Sequence, residues 1–270
     1  MDRRLTPATA RFAHASLKGK VEAAAFTEGR RMQVSVALAD LLRAPFGARE
    51  RQLWLGEDFI VIDRDQGHAF GFAKKDGYCG WLPDAVLEEG PVVTHWVASA
   101  GTHLYPEPKS SSKELAALPM GARLAVVGQV GKYAETTSGY VPMSHLLPLG
   151  QHLADPVAVA EMFLHSPYLW GGNARAGLDC SGLVQIAHHA CGISLPGDAD
   201  LQEAAGSVVQ GEFRRGDLLF WKGHVAIAVD GDRLIHANGH SMSVAYEGIA
   251  ATIARIEAAE GNPLRGHRRL

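Results

Sequence analysis

The first 35 residues show no single hydrophobic period. Alanine-rich pieces from Arg11 to Phe26 suit either a short helix or an extended lead-in. From Met32 the pattern changes. Val34, Val36 and Leu38, then Leu53, Leu55, Phe59, Val61, Phe70, Phe72 and Trp81, recur in short alternating runs punctuated by Gly47, Gly56, Gly67 and Gly77. Alternation at period two, with glycine at the breaks, predicts short strands in a small β-barrel or roll. A second stretch repeats the first. Leu53-Trp-Leu-Gly56 followed by Phe59-Ile-Val-Ile62 has its counterpart in Leu118-Pro-Met-Gly121 followed by Leu124-Ala-Val-Val127. Gly80-Trp-Leu-Pro83 corresponds in the same way to Gly139-Tyr-Val-Pro142. Two copies of one β unit are the simplest explanation. Pro106-Glu-Pro-Lys-Ser-Ser-Ser112 is a loop inside the second copy, and a boundary fits at Pro148-Leu-Gly-Gln-His152.

Beyond that boundary the period lengthens. Asp155-Pro156 has the form of an N-cap followed by proline at the first helical position, and the helix it opens ends before Pro167. Leu183, Val184, Ile186, Ala187, Ala190 and Cys191 lie roughly along one stripe of a second helix, with Asp179 placed as its N-cap. After a loop over 192–210, Asp217–Trp221, His224–Val229 and Arg233–Ala237 are strands by length and branching. Helix, helix, then antiparallel sheet is an α+β order. Three regions are expected: 1–90, a lead-in and first β unit; 91–150, the second; and 151–270, the α+β domain.

Composition narrows the function. The chain has 270 residues, 47% of them hydrophobic, which is enough to fill real cores. A net charge of −3 supplies no electrostatic reason for nucleic acid or an anionic membrane as partner. No apolar run approaches a membrane span. Residues 5–26 are interrupted by Arg11, His14, Lys18, Lys20 and Glu22, so no signal peptide is expected. Cys79, Cys180 and Cys191 form an odd set without metal-type spacing, which suits a reducing compartment. A soluble cytoplasmic protein follows as the expectation. No HExxH or phosphate-loop pattern occurs, and Gly171-Gly172 lacks the GxxxxGK[ST] context, so no metal or nucleotide cofactor is expected.

The chemistry concentrates in Tyr168-Leu-Trp-Gly-Gly-Asn-Ala-Arg-Ala-Gly-Leu-Asp-Cys-Ser-Gly182. With Asp179 as N-cap, Cys180 falls in the first helical turn. Unpaired backbone N–H groups and the positive end of the helix dipole favour a thiolate there. A nucleophilic cysteine needs a base, and the base an orienting group. Asp230-Gly-Asp232 suits a three-residue hairpin loop. That loop sets Val229 opposite Arg233 and Ala226 opposite His236, so His224 and His236 share one face of the sheet. A two-residue loop would separate them. His224 is therefore the expected base and His236 the group that fixes its tautomer. His188 and His189 are placed on the exposed or boundary side of the cysteine helix. His95, His103 and His145 belong to the second β unit, and His240 and His267 to loop-like sequence.

These blocks match a known family. Tyr168-Leu-Trp-Gly-Gly172, Leu178-Asp-Cys-Ser-Gly-Leu183, Gly216-Asp-Leu-Leu-Phe220, Gly223-His-Val-Ala-Ile-Ala228 and Ile235-His-Ala-Asn238 together resemble the NlpC/P60 cell-wall peptidases over roughly residues 155–270. The resemblance implies a papain-like α+β fold with a Cys-His-His triad on Cys180, His224 and His236. Tyr168 matches the tyrosine beside the nucleophile, and Asp179 and Ser181 would help bind the substrate's N-terminal end. The β units resemble bacterial SH3-like (SH3b) domains. Two of them before such a domain is similar to the γ-D-glutamyl-L-diamino acid endopeptidases that process free murein peptides, diaminopimelate-containing tripeptides among them. In those enzymes an SH3b tyrosine and an acidic residue recognise the free amine of L-alanine. Asp76-Gly-Tyr-Cys-Gly-Trp81 nominates Tyr78, and the acidic counterpart is Glu50. Gly197 stands where the family often has arginine, before the Asp-x-x-x-Gln pattern ending at Gln202. Other uses of the scaffold are a secreted or periplasmic hydrolase or amidase of intact wall, or a non-catalytic wall-binding SH3b protein. The missing signal peptide speaks against the first, and intact Cys180, His224 and His236 against the second.

Overall fold

The computed structural model describes all residues, 1–270. The chain divides into two compact units, Met1–Leu149 and Gly150–Leu270, a division that falls within the expected Pro148–His152 boundary. Each is taken by itself.

The lead-in of the first unit is extended rather than helical. Apart from short 3₁₀ turns at Arg3–Leu5 and Ala15–Leu17, it contributes β1 (Phe12–His14) paired in parallel with β2 (Ala25–Thr27). Seven strands follow: β3 (Arg30–Val34), β4 (Leu38–Leu42), β5 (Arg49–Trp54), β6 (Asp58–Asp65), β7 (His68–Ala73), β8 (Cys79–Pro83) and β9 (Leu87–Glu88). They form one sheet in the order β5-β4-β8-β7-β6-β3-β9. The alternating apolar positions turn inward, and Met32, Val34, Leu41, Leu53, Phe59 and Leu82 are core members. Register shifts between Leu41 and Leu42 and between Val61 and Asp63 are irregularities that bend and twist a strand, as curling a sheet requires.

The second stretch supplies β10 (His95–Val97), β11 (Gly101–Leu104), β12 (Ala116–Pro119), β13 (Arg123–Leu124), β14 (Val126–Val130), β15 (Tyr133–Thr136), β16 (Gly139–Pro142) and β17 (Leu146–Pro148). Its pairings follow those of the first. β10 pairs with β17 and β13, as β3 pairs with β9 and β6. β14-β15-β16 corresponds to β6-β7-β8, and β11-β12 to β4-β5. The bridge Tyr105↔Tyr140 corresponds to Leu42↔Trp81. Pro83 and Pro142 each precede a 3₁₀ turn.

The repeated glycines explain why the two copies touch. Gly56 and Gly121 both have positive φ, 72° and 90°, which glycine adopts without steric cost. A Cβ on Gly56 would collide with the Arg123 carbonyl oxygen, and one on Gly121 would lie 2.5 Å from the Trp54 ring. Arg123 N–H donates to the Leu55 carbonyl at 2.8 Å, closing the same contact. The Lys75 ammonium lies 4.7 Å from the centroid of the Trp54 ring and pairs with buried Glu57.

The second unit contains α1 (Pro156–Glu161), β18 (Asn173–Ala174), β19 (Gly177–Leu178), α2 (Cys180–Ala190) and α3 (Ala199–Gln202). Then come β20 (Ser207–Val209), β21 (Leu218–Trp221), β22 (His224–Ala228), β23 (Arg233–Asn238), β24 (Ser243–Gly248), α4 (Ile249–Glu260) and β25 (Gly266–Arg269). Six strands form a sheet in the order β20-β25-β21-β22-β23-β24. Helix α2 packs against β22 and β23. Ile249 and Ile256 of α4 pack with Leu219, Trp221, Ala226, Ala228 and Leu234. The two α/β layers therefore hold β22 and β23, which carry the two histidines, inside the unit. No helix is long and apolar enough to cross a membrane.

Candidate active site

The start of α2 is built around one carboxylate. Asp179 has an extended backbone, and its Oδ1 accepts from the Gly182 N–H at 2.6 Å and from the Ser181 hydroxyl at 3.0 Å. Its Oδ2 accepts from the Gly171 N–H at 2.9 Å, tying the glycine turn to the helix end. A Cβ on Gly182 would lie 2.5 Å from the Gly172 carbonyl oxygen, so the turn and the helix approach this closely only with glycine there. Gln202, fully buried, donates to the carbonyls of Ser181 and Pro196, both at 3.0 Å. The end of the Asp-x-x-x-Gln pattern thus anchors the loop carrying Gly197 to the helix start.

Cys180 occupies the first turn, buried, with Sγ 4.0 Å from the Gly223 carbonyl oxygen. The sulfur therefore sits beside the first residues of β22. The thiolate that helix position alone favours is opposed by its surroundings. Burial first, and the Asp179 charge second, push the thiol up to about 12, while N–H groups of Val225 and Ser181 pull weakly the other way. The water lost around the sulfur costs the anion more than a helix N-terminus returns, and the cap is itself an anion.

The hairpin has the register that a three-residue loop requires. Val229 N–H donates to the Arg233 carbonyl at 2.8 Å, and Ile227 and Ala228 pair with Ile235 and Leu234. Beyond those pairs the two strands are joined through side chains. His224 Nε2 lies 2.9 Å from His236 Nδ1, with the rings at 62°. Burial, then His236, then Arg255, hold His224 down at about 3. Both shifts favour a neutral imidazole and a neutral thiol over the charged forms. Tyr168 is anchored by its N–H to the Met242 carbonyl at 2.9 Å. Burial and the neighbouring Cys180 and Asp179 raise its hydroxyl above the ordinary range, so it remains a donor.

Cys180, Tyr168, Asp179, Ser181, His224 and His236 all belong to the second unit. Tyr78 and Glu50 lie in the first. The Tyr78 ring is buried in the core of the first β unit, with the Arg51 guanidinium 5.7 Å from its centroid. Both Glu50 oxygens are held by the Arg3 guanidinium. For Glu50 to hold a substrate ammonium, Arg3 must leave it. His188 corrects an expectation: it is 2% exposed, and its Nδ1 donates to the Val184 carbonyl at 2.7 Å. One turn back along α2 is the nearest acceptor for a histidine whose side of the helix is covered.

One residue at the site escaped the sequence altogether. Glu247 on β24 places Oε2 3.3 Å from His236 Nε2. Arg255 at 2.5 Å and the Thr252 hydroxyl at 2.9 Å hold the same oxygen. Only the β23–β24 register, which sets Glu247 opposite Leu234, reveals it. No group of three or more His, Cys, Asp or Glu side chains is arranged to hold a metal ion.

Comparison with known proteins places this geometry. Residues 165–255 match the NlpC/P60 family, and residues 41–87 match the bacterial dipeptidyl-peptidase Sh3 domain. A gamma-D-glutamyl-L-lysine dipeptidyl-peptidase of Bacillus subtilis (strain 168) is 30% identical over 236 residues, 77% of this chain and 78% of its own. The chain belongs to the NlpC/P60 family. A gamma-D-glutamyl-L-lysine dipeptidyl-peptidase of Bacillus cereus (strain ATCC 10987 / NRS 248) is 26% identical over 241 residues, 72% of this chain and 69% of its own. The crystal structure of an NlpC/P60 family protein from Bacillus cereus ATCC 10987 shares the fold, with a TM-score of 0.76 over 89% of this chain and 99% of that one at 22% identity. This NlpC/P60 protein is a cysteine peptidase with an SH3 domain ahead of its peptidase domain.

Proposed function

We propose that this NlpC/P60 peptidase hydrolyses the γ-D-glutamyl–L-diamino acid bond of murein peptides that begin with a free L-alanine, as in recycling of wall peptides in the cytoplasm. The observation that carries the chemistry is the His224–His236 pair, 2.9 Å apart, on strands packed against the helix that begins at Cys180. The names of the two relatives support the γ-D-glutamyl linkage, with L-lysine as their diamino acid. Diaminopimelate or lysine would follow it here. Three cysteines, none in a disulfide, suit a reducing compartment. The second β unit, with the pairing order of the first, is taken as a second SH3-like barrel.

The proton accounting follows from the resting state. Sγ attacks the γ-glutamyl carbonyl carbon as His224 takes the thiol proton. Generating the anion only at the moment of attack avoids holding a buried charge at rest. The carbonyl oxygen becomes an oxyanion facing the Cys180 backbone N–H, with the Tyr168 hydroxyl as a second donor. Collapse breaks the C–N bond, the diamino acid amine leaves with the proton from His224, and a thioester remains. Water then attacks, gives its proton to His224, and releases the dipeptide as Sγ is reprotonated. Purified protein incubated with L-Ala-γ-D-Glu-diaminopimelate and with its lysine counterpart tests the proposal by mass spectrometry. L-Ala-D-Glu and the free diamino acid are the expected products. If neither peptide is cleaved, the assignment of substrate is wrong.

A further inference from the structure

We infer that Glu247 is a positioning residue for the catalytic base, so that the site works as a relay from Cys180 through His224 and His236 to Glu247. The inference rests on Cys180 and His224 being the nucleophile and base proposed above.

A neutral imidazole has one N–H donor and one bare nitrogen. An ionised carboxylate only accepts. His236 Nε2 lies 3.3 Å from Glu247 Oε2, an ion-pair distance at which the N–H is not aligned as a full hydrogen bond, and the adjacent negative charge favours the tautomer with its hydrogen on Nε2. That leaves His236 Nδ1 bare, and it accepts from His224 Nε2 at 2.9 Å. His224 Nε2 is then the protonated nitrogen, and His224 Nδ1 is the bare one, able to receive the thiol proton. Reversing the first choice reverses all of them. With hydrogen on His236 Nδ1, His224 would carry its own on Nδ1 and could not act as a base. The His236 side chain is fully buried, so bulk water does not take over the acceptor's role. The carboxylate is fixed in turn from α4, by Arg255 Nη2 at 2.5 Å and Thr252 Oγ1 at 2.9 Å. His236 first, then those contacts from Arg255 and Thr252, hold Glu247 down at about 2, ionised and unable to donate to His236.

A purely structural role is the competing explanation, because the Thr252 hydroxyl also donates to the Gly248 carbonyl at 2.9 Å and so joins Glu247 to the first turn of α4. Two measurements separate them. In the wild-type protein labelled with ¹⁵N-histidine, long-range ¹H–¹⁵N spectra at neutral pH should show His224 and His236 both protonated on Nε2 and bare on Nδ1. Glu247→Gln, whose amide can either donate or accept, should lower kcat roughly 10- to 1000-fold with KM within about twofold, and should mix the two tautomer patterns. Glu247→Asp, which keeps a carboxylate one carbon shorter, should retain more activity than the amide. A wild-type His236 protonated on Nδ1 would overturn the inference. So would a Glu247→Gln protein with kcat within twofold of wild type. Should that variant fail to fold, the wild-type spectra still decide. Should the wild-type protein cleave no murein peptide, the proposed substrate fails while the spectra test the relay independently.

Discussion

At the scale of single residues, burial favours a neutral thiol at Cys180 and a neutral imidazole at His224. Cys180→Ala should abolish tripeptide hydrolysis while leaving the melting temperature within a few degrees of wild type, because the replacement is small and buried. His236→Asn should be milder than His236→Ala, since its amide oxygen still accepts from His224 Nε2. Steady-state kinetics on the purified variants check both. The same two buried groups shape stability against pH. His224 takes up its proton near 6.5 when unfolded but only near 3 when folded, so stability is lost as pH falls through that window. Cys180 ionises near 9 when unfolded and near 12 when folded, so stability is also lost as pH rises above 9. Urea unfolding across pH should therefore give greatest stability between about 6.5 and 9, with a flatter alkaline limb in Cys180→Ala.

At the scale of elements, the start of α2 sets a conflict between holding the helix and ionising the sulfur. Asp179→Ala should cost about 1 kcal/mol or more through the lost cap. It should also speed alkylation of Cys180 by iodoacetamide at pH 8, because the carboxylate that opposes the thiolate is gone. Slower alkylation in a folded variant would contradict the cause assigned to the raised thiol. The cap and the histidine register were legible in the sequence because both are local. An Asp before a helical stripe and a three-residue hairpin loop each act within a few residues. Glu247 was not legible. Its place depends on pairing across the Gly239–Met242 connection, where no short turn signature fixes the register. The opposing effect on Cys180 was not legible, because helix position can be read from spacing, whereas the water removed from the sulfur depends on β22 folding over it. His188 failed for a related reason. A histidine pair looks polar in sequence, yet the Val184 carbonyl lets one member lie in the interior.

At the scale of the whole molecule, the proposed substrate begins with a free ammonium. Acetylating that amine should reduce cleavage by orders of magnitude, because the charge that a placed acceptor would meet is gone. Equal rates on free and acetylated peptide, measured by product mass, would remove the free amine from recognition. The reciprocal fit of Gly56 and Gly121 bears on how this chain can be divided. Each copy fills, with its own ring or carbonyl, the gap the other leaves by lacking a side chain. The two copies are therefore tied to each other by the residues that mark their repeat. A chain stopped near residue 90 would bare the Trp54 indole that Gly121 covers, and it should aggregate or melt well below the full protein in a thermal scan. Residues 41–87 match one known domain, yet the surface they need covered is supplied from beyond their own bounds.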